Sequence, residues 1–113
     1  MTHVRTETAD TLRGISAGDP SVLDGLLGAR GENLQDSGLG AREHALATVA
    51  ALIAVDAPPA SFVAHVAAAL DAGATPEDLL GVLIAVSPQV GMPKVVAAAP
   101  ELMLALGLVS VES

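Results

Sequence analysis

The sequence predicts an all-α fold, a compact helical bundle, and three observations carry that prediction. Hydrophobic residues make up 51% of the 113 positions, chiefly alanine, leucine and valine. Glycine and proline fall between the apolar segments, where they mark helix ends rather than strand turns. Asp19-Pro20 and Thr75-Pro76 each set a capping side chain before a proline, the order in which helices begin. No repeat or second core is evident, so one domain over residues 1–113 is expected, its core spanning about 37–106.

In chain order, Thr6 to Ala17 reads as a weak first helix, and Asp19 caps a second from Pro20 to about Ala29, closed by Gly28 and Gly31. The stretch Gly31 to Gly40 is polar and glycine-rich and reads as a loop. Ala41 to about Val55 is apolar on nearly every side after its first turn, the pattern of a central helix buried all round. Pro58-Pro59 breaks the chain. Ala60 to Leu70 then forms a strong helix, with Gly73 suited to a left-handed cap.

Thr75-Pro76-Glu77-Asp78 combines a cap, proline at the first helical position and acids where the helix dipole favours negative charge. That helix runs toward Val86, where Ser87-Pro88 is expected to end or kink it. A last helix starts near Pro93, and Pro100 inside it implies a kink or a restart. Alanine at so many helical positions lets helix axes approach closely, which suits a compact bundle or a tight subunit contact; simple helix propensity is the competing reading.

Composition excludes several function classes. Thirteen acids against five Lys and Arg give a net charge of −8, and Phe62 is the sole aromatic residue. No basic stripe exists for phosphates and no stacking platform for bases, so nucleic-acid partners and anionic membrane surfaces are not expected. The N-terminal Met1-Thr2-His3-Val4-Arg5-Thr6-Glu7 lacks the apolar region of a signal peptide. The longest apolar run, Ala45 to Val55 around Thr48, is too short to span a bilayer. A soluble cytoplasmic protein is expected. Only 16% of residues are charged, too few to cover a monomer well, so self-association is expected.

The absence of cysteine removes thiolate nucleophiles, thiolate metal sites and dithiol redox chemistry. His3, His44 and His65 have no metal-ligand spacing, and Gly25, Gly28 and Gly31 lack the strand and Lys-Ser/Thr of a phosphate loop. Neither a metal nor a cofactor is expected. Within the apolar helices the groups able to move a proton or orient a substrate are few: Thr48, Ser61, His65 and Ser87, with Glu43, His44, Gln89 and Lys94 near helix ends. His65 is the candidate acid or base, since an imidazole titrates near neutral pH; a satisfied structural histidine is the competing reading. Ser61 lies one turn before it, at i, i+4. Glu43 opens the central helix, where a carboxylate favours the dipole or reaches back to a backbone N–H.

Ser37-Gly38-Leu39, the apolar helix, Phe62 to Leu70 around His65, Asp71-Ala72-Gly73-Ala74-Thr75-Pro76-Glu77-Asp78 and Val90-Gly91-Met92-Pro93 follow one another in an order that resembles the carboxymuconolactone decarboxylase and alkylhydroperoxidase-D superfamily. The resemblance implies an all-α fold, assembly as a homotrimer or homohexamer, and a small pocket between helices near a subunit contact. The peroxidase branch carries cysteines seven and four residues before its motif histidine, where this chain has Pro58 and Ser61. It also carries a glutamate in its central helix where this chain has Ala45. Dithiol peroxidase activity is therefore not expected.

The cysteine-independent decarboxylase branch is the better match, with Leu46, Thr48, His65, Ser87, Gly91 and Pro93 on similar positions, but its usual arginine and tyrosine are Ala67 and Gln89 here. A polycarboxylate lactone needs cations, and only Arg42 and Lys94 lie near the implied site. These residues point to a cofactor-free lyase or isomerase in which His65 transfers a proton on a small lactone, enone or ketone, with Thr48, Ser61, Ser87 and Gln89 binding it. A catalytically silent oligomeric scaffold is the alternative.

Overall fold

The computed structural model describes residues 3–26 and 30–108, and among these it contains seven α-helices and no strand. Contacts group the chain into two compact units, Met1–Gly38 and Leu39–Ser113.

The first unit holds α1 (Thr6–Ser16), α2 (Pro20–Leu26) and α3 (Arg30–Ser37). Gly18, with φ of 70°, turns the chain after α1. Asp19 then caps α2 as expected: its carboxylate accepts from the Ser21 backbone N–H at 3.0 Å and the Ser21 hydroxyl at 2.8 Å, which hold it below the ordinary carboxylate range. Gly14 faces Val22, whose Cγ2 stands 2.8 Å from where a Cβ on Gly14 would be, so glycine lets α1 and α2 meet closely. The Gly28 stop expected for α2 lies outside the described residues, as do Ala29 and the leading Met1-Thr2.

The loop expected from Gly31 to Gly40 is overturned, because residues 30–37 form α3. Polarity misled the reading: Glu32, Leu34 and Gln35 are good helix formers, and an exposed helix needs no apolar stripe beyond Leu34. Gly38, at φ of 71°, is the true stop.

The second unit is a four-helix core of α4 (Ala41–Val55), α5 (Pro59–Asp71), α6 (Pro76–Val90) and α7 (Met92–Ala105). Val49 and Ile53 of α4, Phe62, Val66 and Ala69 of α5, Leu79 and Leu83 of α6, and Ala98 and Leu102 of α7 make one buried cluster, spaced by three or four residues along each helix. No polar side chain of the described residues is fully buried. Gly73, at φ of 98°, supplies the left-handed cap expected of it, and the Ala74 N–H reaches back to the Ala69 carbonyl at 2.9 Å. Asp56 ends α4 in the same left-handed region, φ of 56°, without the freedom of glycine.

One expectation for these helices is corrected, and at two prolines the break, one of two expected outcomes, does not occur. α4 is not buried all round in the single chain: Ala47, Ala51 and Val55, one turn apart, form an exposed stripe because α5, α6 and α7 cover only its other faces. α6 does not end at Ser87-Pro88 but runs to Val90, and α7 passes through Pro100 without restarting. Each proline sits on an exposed face, four residues after an exposed residue, Ile84 or Val96, whose carbonyl loses its helical donor. Water can hydrate a carbonyl there, so the missing bond does not break the helix.

Candidate functional site

His65 occupies a half-buried position on α5, one residue before the fully buried Val66. Its Nδ1 lies 2.8 Å from the Ser61 carbonyl oxygen. A carbonyl only accepts, so Nδ1 carries the hydrogen, and in the neutral ring Nε2 is the nitrogen with the basic lone pair. The i, i+4 relation between Ser61 and His65 is therefore realised through the Ser61 backbone and not through its hydroxyl. Nδ1 cannot at the same time activate a serine nucleophile, so this contact is an orienting one.

Of the remaining sequence-derived residues, Thr48 lies on α4, which packs against α5, while Ser87 and Gln89 lie on α6, which packs against α4 and α7. Thr48, on α4, donates its hydroxyl to the His44 carbonyl at 3.0 Å. Ser87, on α6, donates to the Leu83 carbonyl at 2.6 Å. Gln89 is exposed in the last turn of α6, and with its amide nitrogen turned inward it donates to the Ala85 and Val86 carbonyls at 2.9 and 3.3 Å. These three side chains share one behaviour: each hydrogen-bonds the preceding turn of its own helix, which satisfies a hydroxyl or amide on an apolar surface without a second helix. Ser61 and His65 are brought together directly, whereas Thr48, Ser87 and Gln89 are each anchored separately.

The second unit is strongly acidic, and its cations are already engaged. Its only two cations are Arg42 and Lys94, against seven Asp and Glu. Arg42 sits 2.9 Å from Asp78 and 3.3 Å from Glu43. Asp78 also accepts the Thr75 N–H at 2.9 Å while the Thr75 hydroxyl accepts the Asp78 N–H at 3.1 Å, completing a capping box. The Thr75 N–H first and Arg42 second hold the Asp78 carboxyl below its ordinary range, and Asp78 in turn holds the Arg42 guanidinium more firmly protonated. Lys94 donates to the Ala54 carbonyl at 2.6 Å, at the negative end of α4. Glu43 folds back over Gly40, its Oε2 2.6 Å from where a Cβ there would stand, in line with the dipole-side role read from its position.

Both cations that a polycarboxylate would need thus already serve carboxylates or a helix end. The Arg42–Asp78 pair was not visible to sequence reasoning, since no periodicity links residues on two different helices. Among the described residues no three His, Asp or Glu side chains converge as a metal site requires, and no helix is long and apolar enough to cross a membrane.

A family model described as the carboxymuconolactone decarboxylase family matches residues 20–102. No curated protein and no solved structure matches the chain.

Proposed function

The chain belongs to the carboxymuconolactone decarboxylase family, and from that premise we propose a cofactor-free lyase or isomerase that moves a proton on a small lactone, enone or ketone. The observation that carries the reading is the bond from His65 Nδ1 to the Ser61 carbonyl, which fixes the ring and assigns proton exchange to Nε2. In an isomerisation, Nε2 takes a proton from the carbon next to the carbonyl and returns it to the conjugated carbon. In a decarboxylation, a substrate with one carboxylate on the carbon beside its carbonyl loses CO2, and the electron pair of the breaking C–C bond passes to that carbon as an enolate. His65, having taken a proton from water at Nε2, delivers it there. Thr48, Ser61, Ser87 and Gln89 are proposed to orient the substrate, with the groups of Thr48, Ser87 and Gln89 turning from their helical carbonyls when it binds.

Because Arg42 already pairs with Asp78 and Lys94 already donates to the Ala54 carbonyl, a weakly charged substrate suits this site better than a polycarboxylate. We further propose assembly as a homo-oligomer, a trimer or hexamer, in the cytoplasm. Val55, Val63, Ile84, Met92 and Val96 are between 55% and 71% exposed on the single chain, an apolar surface of the kind that subunit contacts cover.

The test is proton exchange itself. Neutral five-membered lactones and cyclic enones are incubated with the protein in D2O and followed by NMR; deuterium entering beside the carbonyl with the native chain, and not with His65→Gln, supports the enzyme. The second reading, a silent scaffold, is favoured by the hydroxyls of Thr48 and Ser87 being satisfied within their own helices. It predicts exchange at the buffer rate with both chains.

A further inference from the structure

Between α6 and α7 lies a pocket of about 310 Å3 whose lining includes neither His65 nor any of Thr48, Ser61, Ser87 and Gln89. Leu79, Leu83 and Leu102 form its buried floor, while Leu80 and Met103 stand exposed at its rim. Glu77 is the single ionisable side chain in the lining, and no lysine, arginine or histidine accompanies it. We propose that this pocket is a second ligand site, one that takes a compact apolar molecule carrying one hydrogen-bond donor and rejects the matching carboxylate.

Size, lining and charge each contribute to that assignment. The volume falls at the lower end of the range that holds small molecules. An apolar cavity of roughly 150 Å3 accepts the six carbons of benzene, so this one, about twice as large, accommodates up to about twelve heavy atoms. The leucine floor supplies carbon contacts and no donor, so an ionised head group pushed into it would lose its hydration without return. Glu77 can accept a hydrogen bond from a hydroxyl or ammonium group at the mouth, and it repels an anion there. The nearby helix start does not reverse this preference, because the Asp78 and Thr75 N–H groups are already bound within the capping box. Met103 at the rim can adjust to ligand shape through its unbranched side chain.

The probes are 1-octanol, octylamine and octanoate, added below their aggregation limits to the isotope-labelled full chain and followed by NMR of the leucine and methionine methyl groups. Saturable shifts of Leu83, Leu102 and Met103 with octanol and octylamine, and binding of octanoate at least tenfold weaker, are expected. Glu77→Gln, a change at an exposed residue, should bring octanoate to within about threefold of octanol. Ala99→Trp, which fills the pocket, should abolish the octanol shifts while the oligomeric state is unchanged. Absence of saturable methyl shifts with octanol overturns the site. Equal binding of octanol and octanoate by the native chain overturns the role of Glu77, and dissociation of an assembly by Ala99→Trp shows that a second copy of the chain occupies the pocket instead.

Discussion

Arg42 and Asp78 tie the N-terminal ends of α4 and α6 together through a 2.9 Å ion pair, although they stand thirty-six positions apart in the chain. The same aspartate closes the capping box with Thr75, so one carboxylate serves both the start of its own helix and the contact to the next.

The first prediction concerns acid. Asp78 is held below its ordinary carboxyl range in the folded protein, so its share of stability is fully present above the unfolded value and disappears as the pH falls through the folded one. Asp78→Asn should therefore be less stable than the native chain at neutral pH. The gap should close below about pH 4, where unfolded carboxyls protonate. Urea midpoints of both chains between pH 7 and pH 3 measure it; a gap that does not change with pH would show that the charge of Asp78 contributes nothing to stability.

A second prediction isolates the cap. Thr75→Ala removes the hydroxyl that accepts the Asp78 N–H but leaves the Arg42 contact in place, and should lower stability by about 1 kcal/mol. Thr75→Ser should restore most of it, because serine caps as well as threonine. Denaturant unfolding reads both variants, and an alanine chain of native stability would mean that water replaces the hydroxyl without loss.

Those two residues also show what a sequence can reveal. Thr75-Pro76-Glu77-Asp78 announced a helix start because capping is a local matter, set within four residues, and the structure places the cap at Thr75. The bounds of α4, Ala41–Val55, were legible for the same reason: Gly40 precedes it, and Asp56 with Pro58 follows. Local rules failed where the wider setting decides. Pro88 and Pro100 carry a stop signal that exposure of the freed carbonyl cancels, and residues 30–37 were misread because an exposed helix carries little apolar periodicity. At the candidate site, the spacing of Ser61 and His65 was legible, but not that the carbonyl would be the partner, since backbone and hydroxyl both lie within reach of the ring.

The third prediction is an assembly in dilute solution. Val63 on α5 and Ile84 on α6 are 55% and 63% exposed, and 16% charged residues leave little to keep such surfaces apart. Light scattering at micromolar concentration should report a multiple of 11.2 kDa. A mass equal to the single chain would sink the proposed oligomer. Ile84→Lys at its exposed position should weaken the assembly while leaving the helical signal by circular dichroism intact; an undiminished mass would exclude Ile84 from the contact.

The last prediction separates chemistry from packing at His65. As an acid or base, the ring acts through Nε2 while Nδ1 donates to Ser61, and glutamine can neither titrate nor shuttle a proton. His65→Gln should then keep the helix and the assembly yet lower proton exchange on an accepted lactone or ketone by on the order of a hundredfold or more, the contribution of one positioned proton carrier. A structural histidine makes the opposite forecast: thermal stability falls, because a half-buried bond to the Ser61 carbonyl is lost or reshaped, and no exchange activity exists to be lowered. The imidazole distinguishes the two before any substrate is known. A His65 resonance that shifts saturably when candidate lactones or ketones are added supports the proton carrier; one that no such ligand moves assigns the ring to the packing of α5.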